Sequence, residues 1–230
     1  MNIIFALEMI TINKSLLFLI LGLHRSGTSA TAGVLHQLGV NMGKKLLGRT
    51  NANPKGHFEN QEFVLINNRI LASVNGSWDR PPSPLKIKNN KMNENHIRRF
   101  IRENKLPIWG LKDPRTLLTY DIWKPYLEET SEITYIFVHR PFEESIMSLV
   151  HRNHFSIEKS RKILIPYLNN KNKLRTRLKD EGADIIDVNF ENLLKNPEIF
   201  VEEINKRTNQ KPDYHLPAVK NFLDTKLKKF

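Results

Sequence analysis

The sequence predicts an α/β fold in which a central parallel sheet is flanked by helices on both faces, giving three layers. Short apolar runs alternate with amphipathic stretches along the chain, a pattern typical of βαβ units. The 230 residues are enough to bury a sizeable core, and 40% of them are hydrophobic. No internal repeat or long low-complexity linker interrupts the pattern. We therefore expect a single domain over residues 1–230, with its core at about 16–200 and a helical C-terminal extension.

The first part of the chain is expected to hold one strand and two helices joined by long loops. Leu16–Gly22 is an apolar run too short to span a bilayer, and we interpret it as a buried strand. Helices are predicted at Ser29–Leu38 and at Asn60–Val74, where apolar residues recur at helical spacing. Residues 40–58 are rich in Gly, Asn, Pro and Lys and are predicted to be an exposed loop, and residues 76–90 are predicted to be a Pro- and Asn-rich connection.

The later part of the chain continues with alternating strands and helices. The strands are predicted at three apolar runs, which are Pro107–Leu111, Ile133–Val138 and Ala183–Val188. The helices are predicted at Glu94–Glu103, from Pro114 or Arg115 to Glu128, from Phe142 onward, and at 157–181, with a mostly helical remainder. Because open α/β sheets bind ligands at the carboxyl ends of their strands, residues that directly follow these strands are candidates for a site.

Charge and cysteine content limit the possible functions. The chain has 36 Lys and Arg against 24 Asp and Glu, a formal net charge of +12. This excess favours an anionic partner, which could be a nucleic acid, an acidic polymer, a phosphorylated cofactor or a membrane face. The absence of cysteine excludes a disulfide, a thiolate zinc site and a cysteine nucleophile. It also fits a reducing compartment, so a cytoplasmic location is expected, and no metal site is predicted.

The strongest motif is GLHRSGTS, Gly22–Ser29, between the first strand and the first helix. Gly22 and Gly27 match the two glycines of a Walker A loop, G-x-x-x-x-G-K-[ST], but Thr28 replaces the lysine. The glycines allow close approach to a ligand, and the N-terminus of the following helix attracts anions. The further donors in this loop are the guanidinium of Arg25 and the hydroxyls of Ser26, Thr28 and Ser29.

The missing lysine changes the expected ligand. That lysine normally reaches the β- and γ-phosphates of a nucleoside triphosphate, so its absence disfavours a kinase or ATPase. A ligand with one 5'-phosphate and a single further anionic group fits better. The loop resembles the 5'-phosphosulfate-binding loop of sulfotransferases that use 3'-phosphoadenosine-5'-phosphosulfate (PAPS), especially bacterial members. This resemblance implies a P-loop-like fold and PAPS as the cofactor. It also implies that the residues that bind the cofactor are Arg25, Ser26, Gly27, Thr28 and Ser29.

A second sulfotransferase-like feature follows the strand predicted at Ile133–Val138. Arg140 ends this strand, and Ser148 stands eight residues later in the next helix. The pair resembles the family element that holds the 3'-phosphate, although the sequence reads Arg-Pro-Phe instead of the more familiar Arg-Asn-Pro. The resemblance implies that Arg140 and Ser148 bind the cofactor. Two plainer interpretations stay open, an ion pair of Arg140 with Glu143 or Glu144 and a helix contact at Ser148.

Sulfuryl transfer also needs a base for the proton of the acceptor hydroxyl. The segment NPKGHFEN, Asn53–Asn60, resembles a stretch of bacterial sulfotransferases that ends in Glu after two aromatic residues. The resemblance makes Glu59 the first candidate for the catalytic base, with His57 second. The open alternative is that Glu59 caps the helix that follows it, since acids are favoured in first turns.

The segment WGLKDPRT, Trp109–Thr116, runs from a predicted strand into a helix. In related sulfotransferases a Lys near such a strand end stabilises the bridging oxygen, which implies this role for Lys112. Asp113 is near the position of the base in other members, and Arg115 is a candidate contact for the sulfonate or an acidic acceptor. The alternatives are that Asp113 caps the helix and that Arg115 forms a salt bridge with it. Late in the chain, Phe190 stands where the family has Tyr, and we interpret its segment as structural.

These features together predict a PAPS-dependent sulfotransferase that acts on a carbohydrate or small-molecule hydroxyl by in-line displacement. A P-loop kinase is the alternative from the same broad fold. A nucleic-acid-binding protein is the alternative from the +12 charge, but the basic residues are dispersed among acids and no nucleic-acid partner is expected. A third alternative is a protein that binds PAPS without transferring sulfate.

Overall fold

The computed structural model describes residues 14–50, 53–88 and 94–223. The ends of the predicted domain, and parts of the predicted loops at 40–58 and 76–90, lie outside these residues. In chain order the elements are β1 (Ser15–Leu21), α1 (Thr28–Gln37), α2 (Gln61–Ala72), α3 (Pro84–Lys88), α4 (Glu94–Asn104), β2 (Ile108–Lys112), α5 (Thr116–Thr130), β3 (Ser131–His139), α6 (Phe142–Asn153), α7 (Ile157–Asp180), β4 (Asp184–Asn189), α8 (Phe190–Lys195), α9 (Pro197–Arg207) and α10 (Leu216–Phe222).

In the described part of the chain the strands form a four-stranded sheet in the order β2-β1-β3-β4. Every neighbouring pair is parallel. Strand β1 is central and almost wholly buried, which explains its continuous apolar sequence. The predicted α/β fold with a central parallel sheet is therefore confirmed.

Helices cover both faces of this sheet. Leu17, Leu19 and Leu21 of β1 point into a core shared with α2, α4, α5, α6 and α7. Phe18 and Ile20 point the other way, into a core shared with α1, α9 and α10. This alternation follows from the two-residue period of a strand. The described elements thus surround one sheet, while a single domain over residues 1–230 stays a prediction.

The structure differs from the predicted elements in a few places. Helix α3 lies within the stretch predicted to be a loop, because Ile87 reaches the core and is 1% exposed. Strand β3 is longer than the predicted Ile133–Val138, since Ser131 pairs with Ser15 at the start of β1. Such long-range contacts leave no local periodic signal. No helix in the described ranges combines the length and the apolar character needed to cross a membrane.

The strand order places the predicted site residues at one edge of the sheet. The loop Gly22–Gly27 follows β1, Lys112 ends β2, and Arg140 follows β3. Because β1 lies between β2 and β3, the loop is central, with Lys112 on one side and Arg140 on the other. Carboxyl ends of parallel strands are where such sheets bind ligands.

Candidate active site

The loop after β1 adopts a conformation that requires glycine. Gly27 has a φ of +97° immediately before α1, in the left-handed region that glycine enters without penalty. A Cβ atom at this position would also overlap the ring of Phe190. Arg25 has a φ of +69°, which is uncommon for a residue with a side chain and marks stored strain. The turn is therefore held in place by the surrounding structure.

Helix α1 presents its N-terminus to a cavity beside the loop. Gly27 is the N-cap residue and provides no side-chain cap. Thr28, Ser29 and Ala30, which begin α1, line the cavity. The first N–H groups of a helix lack intrahelical partners and carry partial positive charge. This arrangement suits an anion.

Ser26 lies apart from this cavity wall. It is 1% exposed, and its hydroxyl donates to the Leu23 carbonyl at 2.9 Å. The backbone N–H of Ser26 is directed at the same carbonyl, at 3.2 Å. This geometry supports a role in holding the loop, not the direct cofactor contact that the sequence predicts.

Two arginines stand on the β3 side of the loop. Arg25 donates from Nε to the hydroxyl of Ser148 at 3.0 Å and from Nη1 to Oδ1 of Asn53 at 3.3 Å. Arg140 donates from Nη1 to the Arg25 carbonyl at 3.0 Å, and its guanidinium lies 5.4 Å from the centre of the Phe190 ring. Ser148 is buried and is not part of the cavity lining, and its hydroxyl orients Arg25 by accepting this hydrogen bond.

Positive charge accumulates at this point. Burial and the neighbouring charges of Arg152 and Arg140 lower the pKa of Arg25 to about 10. The ion pair between Arg140 and Glu144 that the sequence left open is present, at 3.0 Å. Arg140 nevertheless lines the cavity together with Arg25 and Arg152. A bound anion would relieve the repulsion among these guanidinium groups.

On the β2 side, Lys112 joins the loop to Glu59. Lys112 is 1% exposed, and its Nζ lies 2.6 Å from Oε1 of Glu59 and 3.1 Å from Oγ of Ser29. Burial opposes ionisation of Glu59, but the charge and hydrogen bond of Lys112 and the charge of Arg115 outweigh it. The pKa of Glu59 is consequently below its ordinary value. Glu59 is thus a buried carboxylate that Lys112 holds next to Ser29 at the start of α1.

Glu59 does not cap the following helix. The N-cap of α2 is Asn60, whose Oδ1 accepts hydrogen bonds from the backbone N–H groups of Glu62 and Phe63. The capping interpretation of Glu59 is therefore wrong, because the neighbouring amide already fills that role.

His57 belongs to a chain of hydrogen bonds that begins at Arg25. Because a guanidinium can only donate, it fixes Oδ1 of Asn53 as the acceptor and leaves Nδ2 as the donor. Asn53 Nδ2 then donates to Nδ1 of His57 at 2.8 Å, so the ring carries its proton on Nε2 and donates to Oγ1 of Thr50 at 3.2 Å. Burial, with the charge of Lys112, lowers the pKa of His57 despite the opposing effect of Glu59. His57 is thus neutral with both nitrogens engaged.

Asp113 lies behind the site. It is fully buried, and one oxygen accepts from the backbone and the guanidinium of Arg115 at 3.0 and 2.8 Å. The other oxygen accepts from Asn67 at 2.8 Å, within a buried network with Thr119 and Trp123. Burial raises the pKa of Asp113, against the effect of Arg115. The salt bridge that the sequence left open is present, and it anchors Arg115.

These residues surround two adjoining cavities. The first, here called the loop cavity, has a volume of about 320 Å³. Its lining residues are His24, Arg25, Gly27, Thr28, Ser29, Ala30, Asn53, Pro54, Lys55, Gly56, His57, Glu59, Lys112, Pro114, Arg140, Arg152, Phe190 and Phe222. The second, here called the Trp78 cavity, has a volume of about 330 Å³. Its lining residues are His24, Leu47, Gly48, Arg49, Thr50, His57, Glu59, Trp78, Arg115 and Arg152.

Comparisons with known proteins bear on the fold. No protein-family model matches the sequence, and no curated protein matches it. Among solved structures, the chain is similar to the crystal structure of sulfotransferase STF1 from Mycobacterium tuberculosis H37Rv, with a TM-score of 0.52 and 12% sequence identity. The match covers 91% of this chain and 72% of that chain. The chain has a sulfotransferase-like fold.

Within this sulfotransferase-like fold, sequence reasoning missed three residues that line the site. His24 lines both cavities, and burial together with the charges of Arg115 and Arg152 keeps its pKa well below its ordinary value. Arg152 also lines both cavities, and its spacing of four residues from Ser148 on α6 was an available signal. Asn53 joins Arg25 to His57, a link that only the folded loop reveals. Among the described residues, no cluster of His, Asp and Glu could hold a metal ion.

Proposed function

We propose that this protein transfers the sulfuryl group of PAPS to an acceptor hydroxyl. The observation that carries the proposal is the loop cavity, where a glycine turn, a helix N-terminus and the cations Arg25, Arg140 and Lys112 meet. The sulfotransferase-like fold supports the same reaction class. The acceptor is proposed to be a small molecule or a carbohydrate.

The residues of the loop cavity fit PAPS, which carries a phosphosulfate at its 5' end and a phosphate at its 3' position. The loop and Lys112 would hold the 5' group, because Lys112 Nζ is 3.1 Å from Ser29 at the start of α1. Arg140 and Arg25 would hold the 3'-phosphate on the β3 side, with Ser148 orienting Arg25. A volume of about 320 Å³ is within the usual range for small-ligand pockets.

Apolar surfaces in the same cavity suit the adenine ring. Phe190 lines the cavity, and its ring lies against the Arg140 guanidinium. Phe222 of α10 lines it as well and meets Phe58 edge to face, with ring centres 5.9 Å apart. Aromatic and cationic faces are favourable partners for a nucleobase.

Bound PAPS supplies the sulfuryl group, and the chain supplies charge and a base. Lys112 lies between Glu59 and Ser29, so its ammonium is shared by a carboxylate and the segment Gly22–Ser29, here called the anion loop. Negative charge in the loop competes with Glu59 for this ammonium, and the pKa of Glu59 then rises toward its ordinary value. Glu59 becomes a better proton acceptor only when the loop is occupied.

Glu59 is the base that this geometry favours among the three candidates. Its carboxylate lines both cavities and is ionised. His57 has both ring nitrogens engaged, by Asn53 and Thr50. Asp113 is fully buried with both oxygens bonded to Arg115 and Asn67. We therefore assign the proton transfer to Glu59 and place Lys112 at the leaving oxygen.

A nucleic-acid partner is not part of this proposal. Many exposed cations are paired with acids, as in Arg98 with Glu129 and Arg161 with Glu143. Pairing of this kind lowers the positive charge that these residues present to a phosphate backbone.

Calorimetric titration with adenosine 3',5'-bisphosphate, the product of PAPS, tests the proposal against ATP with Mg²⁺. We expect the bisphosphate to bind at least about a hundredfold more tightly, which is about 2.7 kcal/mol. Tighter binding of ATP would contradict the proposal and favour a kinase. Bisphosphate binding without sulfate transfer from PAPS to any member of an acceptor panel would favour the third alternative, a PAPS-binding protein.

A further inference from the structure

We propose that the Trp78 cavity binds the acceptor and selects hydroxyl compounds that carry an acidic group, such as a carboxylate, a sulfate or a phosphate. The inference rests on the proposed function, because it assumes that the nucleotide occupies the loop cavity. It adds the chemical class of the acceptor and the residues that recognise it.

The position of the Trp78 cavity suits an acceptor. It shares His24, His57, Glu59 and Arg152 with the loop cavity. The shared carboxylate of Glu59 is also bonded to Lys112, which contacts the anion loop through Ser29. A hydroxyl placed against Glu59 from the Trp78 cavity therefore faces the group held by that loop.

Arginine dominates the charge of this cavity. Arg49, Arg115 and Arg152 line it, whereas its one lining carboxylate among the described residues, Glu59, is paired with Lys112. Arg49 and Arg152 are exposed and form no ion pair with any acid in the described ranges. Arg115 is held by Asp113 through Nη1, but its buried Nε has no hydrogen-bond partner among the described residues. The cavity thus offers guanidinium donors in excess of acceptors, which suits an anion.

The nucleotide does not account for this excess. Arg25, Arg140 and Lys112 line the loop cavity and not the Trp78 cavity. Arg49 and Arg115 line the Trp78 cavity and not the loop cavity. Only Arg152 is common to both sets. The separate placement of the cations indicates two anionic ligands, one for each cavity.

The rest of the Trp78 cavity lining includes the aromatic side chain of Trp78 and the apolar side chain of Leu47. The indole of Trp78 stacks on the ring of Phe155, with ring centres 6.3 Å apart and an angle of 22° between the ring planes. The backbone carbonyl of Trp78 accepts a hydrogen bond from the Tyr167 hydroxyl at 2.9 Å. Lowered pKa values keep His24 and His57 neutral, so the positive charge of the wall resides on the arginines. A cavity lined by an indole ring and guanidinium groups suits a ring that bears an acidic substituent.

The test compares an acidic probe with its neutral counterpart on protein saturated with adenosine 3',5'-bisphosphate. Cellobiouronic acid and cellobiose serve as the carboxylate pair, and glucose 6-phosphate and glucose as the phosphate pair. Calorimetry at constant ionic strength should show at least one acidic probe binding about tenfold more tightly than its neutral partner, since hydrogen bonds to charged groups contribute about 1.5–3 kcal/mol. The stronger pair identifies the acidic group that the cavity prefers.

Variants assign the preference to this cavity. Arg49→Gln, at an exposed position, should remove most of the preference for the acidic probe and leave bisphosphate affinity within about twofold. Arg115→Lys keeps a charge beside Asp113 but removes the guanidinium fork, and should weaken the acidic probe as well. Arg80→Gln is the matched control, because Arg80 is exposed, close in sequence to Trp78, and lines neither cavity.

Equal binding of acidic and neutral probes would overturn the inference, as would failure of all four to bind. A preference that survives both Arg49→Gln and Arg115→Lys would also overturn it. If the bisphosphate itself fails to bind, the proposed function fails separately, and the same comparison on the unliganded chain still tests the cavity.

Discussion

The loop cavity and the Trp78 cavity share one wall but hold their cations in different ways. In the loop cavity, Arg25 is fixed by Ser148 and Asn53, and Lys112 by Glu59 and Ser29. In the Trp78 cavity, Arg49 is exposed and has no ion-pair partner in the part of the chain that the structure describes. The first set of charges is pre-arranged, whereas the second combines the anchored Arg115 with Arg49, which is free to adapt.

The difference suits two kinds of ligand, a nucleotide that is always the same in the loop cavity and an acceptor that varies in the Trp78 cavity. A pre-organised site loses little conformational freedom on binding, which favours a ligand that is always the same. An exposed arginine on a loop, such as Arg49, can move to meet different anions, at the expense of side-chain entropy. We therefore expect substitutions in the loop cavity to have large effects and those in the Trp78 cavity to change selectivity.

The largest effect is expected at the shared wall. Glu59→Gln removes the proposed base, and sulfate transfer from PAPS should fall by about 10²–10⁴-fold. Bisphosphate affinity should hold or improve, because Lys112 loses its competing carboxylate. Release of bisphosphate from PAPS with the best acceptor of the panel measures the rate. Near-normal transfer would move the base assignment to His57.

The pH profile of the wild-type chain sharpens the same point. A carboxylate with a lowered pKa stays ionised as the pH falls, so transfer that depends on Glu59 should hold from pH 8 down to the ordinary Glu range near about 4.3. Because the pKa of Glu59 is lowered in the folded chain, the Glu59–Lys112 pair stabilises the fold above the ordinary Glu range. This stabilisation is lost as the pH falls below that range. A loss of transfer that begins just below the ordinary His range, well above the ordinary Glu range, would instead indicate His57, whose pKa is lowered by burial.

Gly27→Ala should come next in size and confine its effect to the loop cavity. The added Cβ would overlap the ring of Phe190. Alanine also disfavours the φ of +97° that Gly27 adopts. We expect bisphosphate affinity to fall by about a hundredfold or more. Gly39→Ala is the matched control, because Gly39 has a φ of +87° but open space around it. It should cost about 1–2 kcal/mol of stability and leave affinity within about twofold. Equal affinity losses in both variants would contradict the loop assignment.

Arg25→Ala and Arg140→Ala should each weaken bisphosphate binding by about tenfold to a hundredfold, since each removes a charged donor to phosphate. Both side chains line the loop cavity and belong to neither apolar core, so the fold should persist in thermal unfolding. Arg161→Ala is the control, because its ion pair with Glu143 is exposed and outside the cavity. Unchanged bisphosphate affinity in both Arg25→Ala and Arg140→Ala would contradict the assignment of the 3'-phosphate site to these arginines.

The smallest effect is expected at two serines of α6. Ser148→Ala removes the hydroxyl that orients Arg25, and bisphosphate affinity should fall by about threefold to tenfold. Ser145→Ala serves as the control, since Ser145 is equally buried but its hydroxyl has no partner in the described chain. A loss in Ser145→Ala as large as that in Ser148→Ala would indicate helix packing and not orientation of Arg25.

Sequence reasoning was most successful where local pattern and chemistry coincide. The glycine turn before α1, the strand end at Arg140 and the parallel sheet each leave a short signal of apolar residues, glycine or charge. It was less successful where contacts are long-range. The bond of Ser26 to Leu23 and the burial of Asp113 behind Arg115 depend on how the loops close.

The division into two cavities could not be predicted for the same reason. It depends on Trp78, from the connection after α2, and on Arg49, from the loop before α2. Phe222 of α10 reaches the loop cavity from the far end of the described chain. No periodicity in the sequence relates these segments, so only the assembled fold places them around one site.

A crystal structure of the chain with adenosine 3',5'-bisphosphate tests the proposed division between the two cavities most directly. We expect the 5'-phosphate at the N–H groups that begin α1 and beside Lys112, with the 3'-phosphate at Arg140 and Arg25, and no part of the nucleotide against Arg49 or Arg115. A nucleotide that lies in the Trp78 cavity, or one whose phosphates exchange these positions, would contradict it.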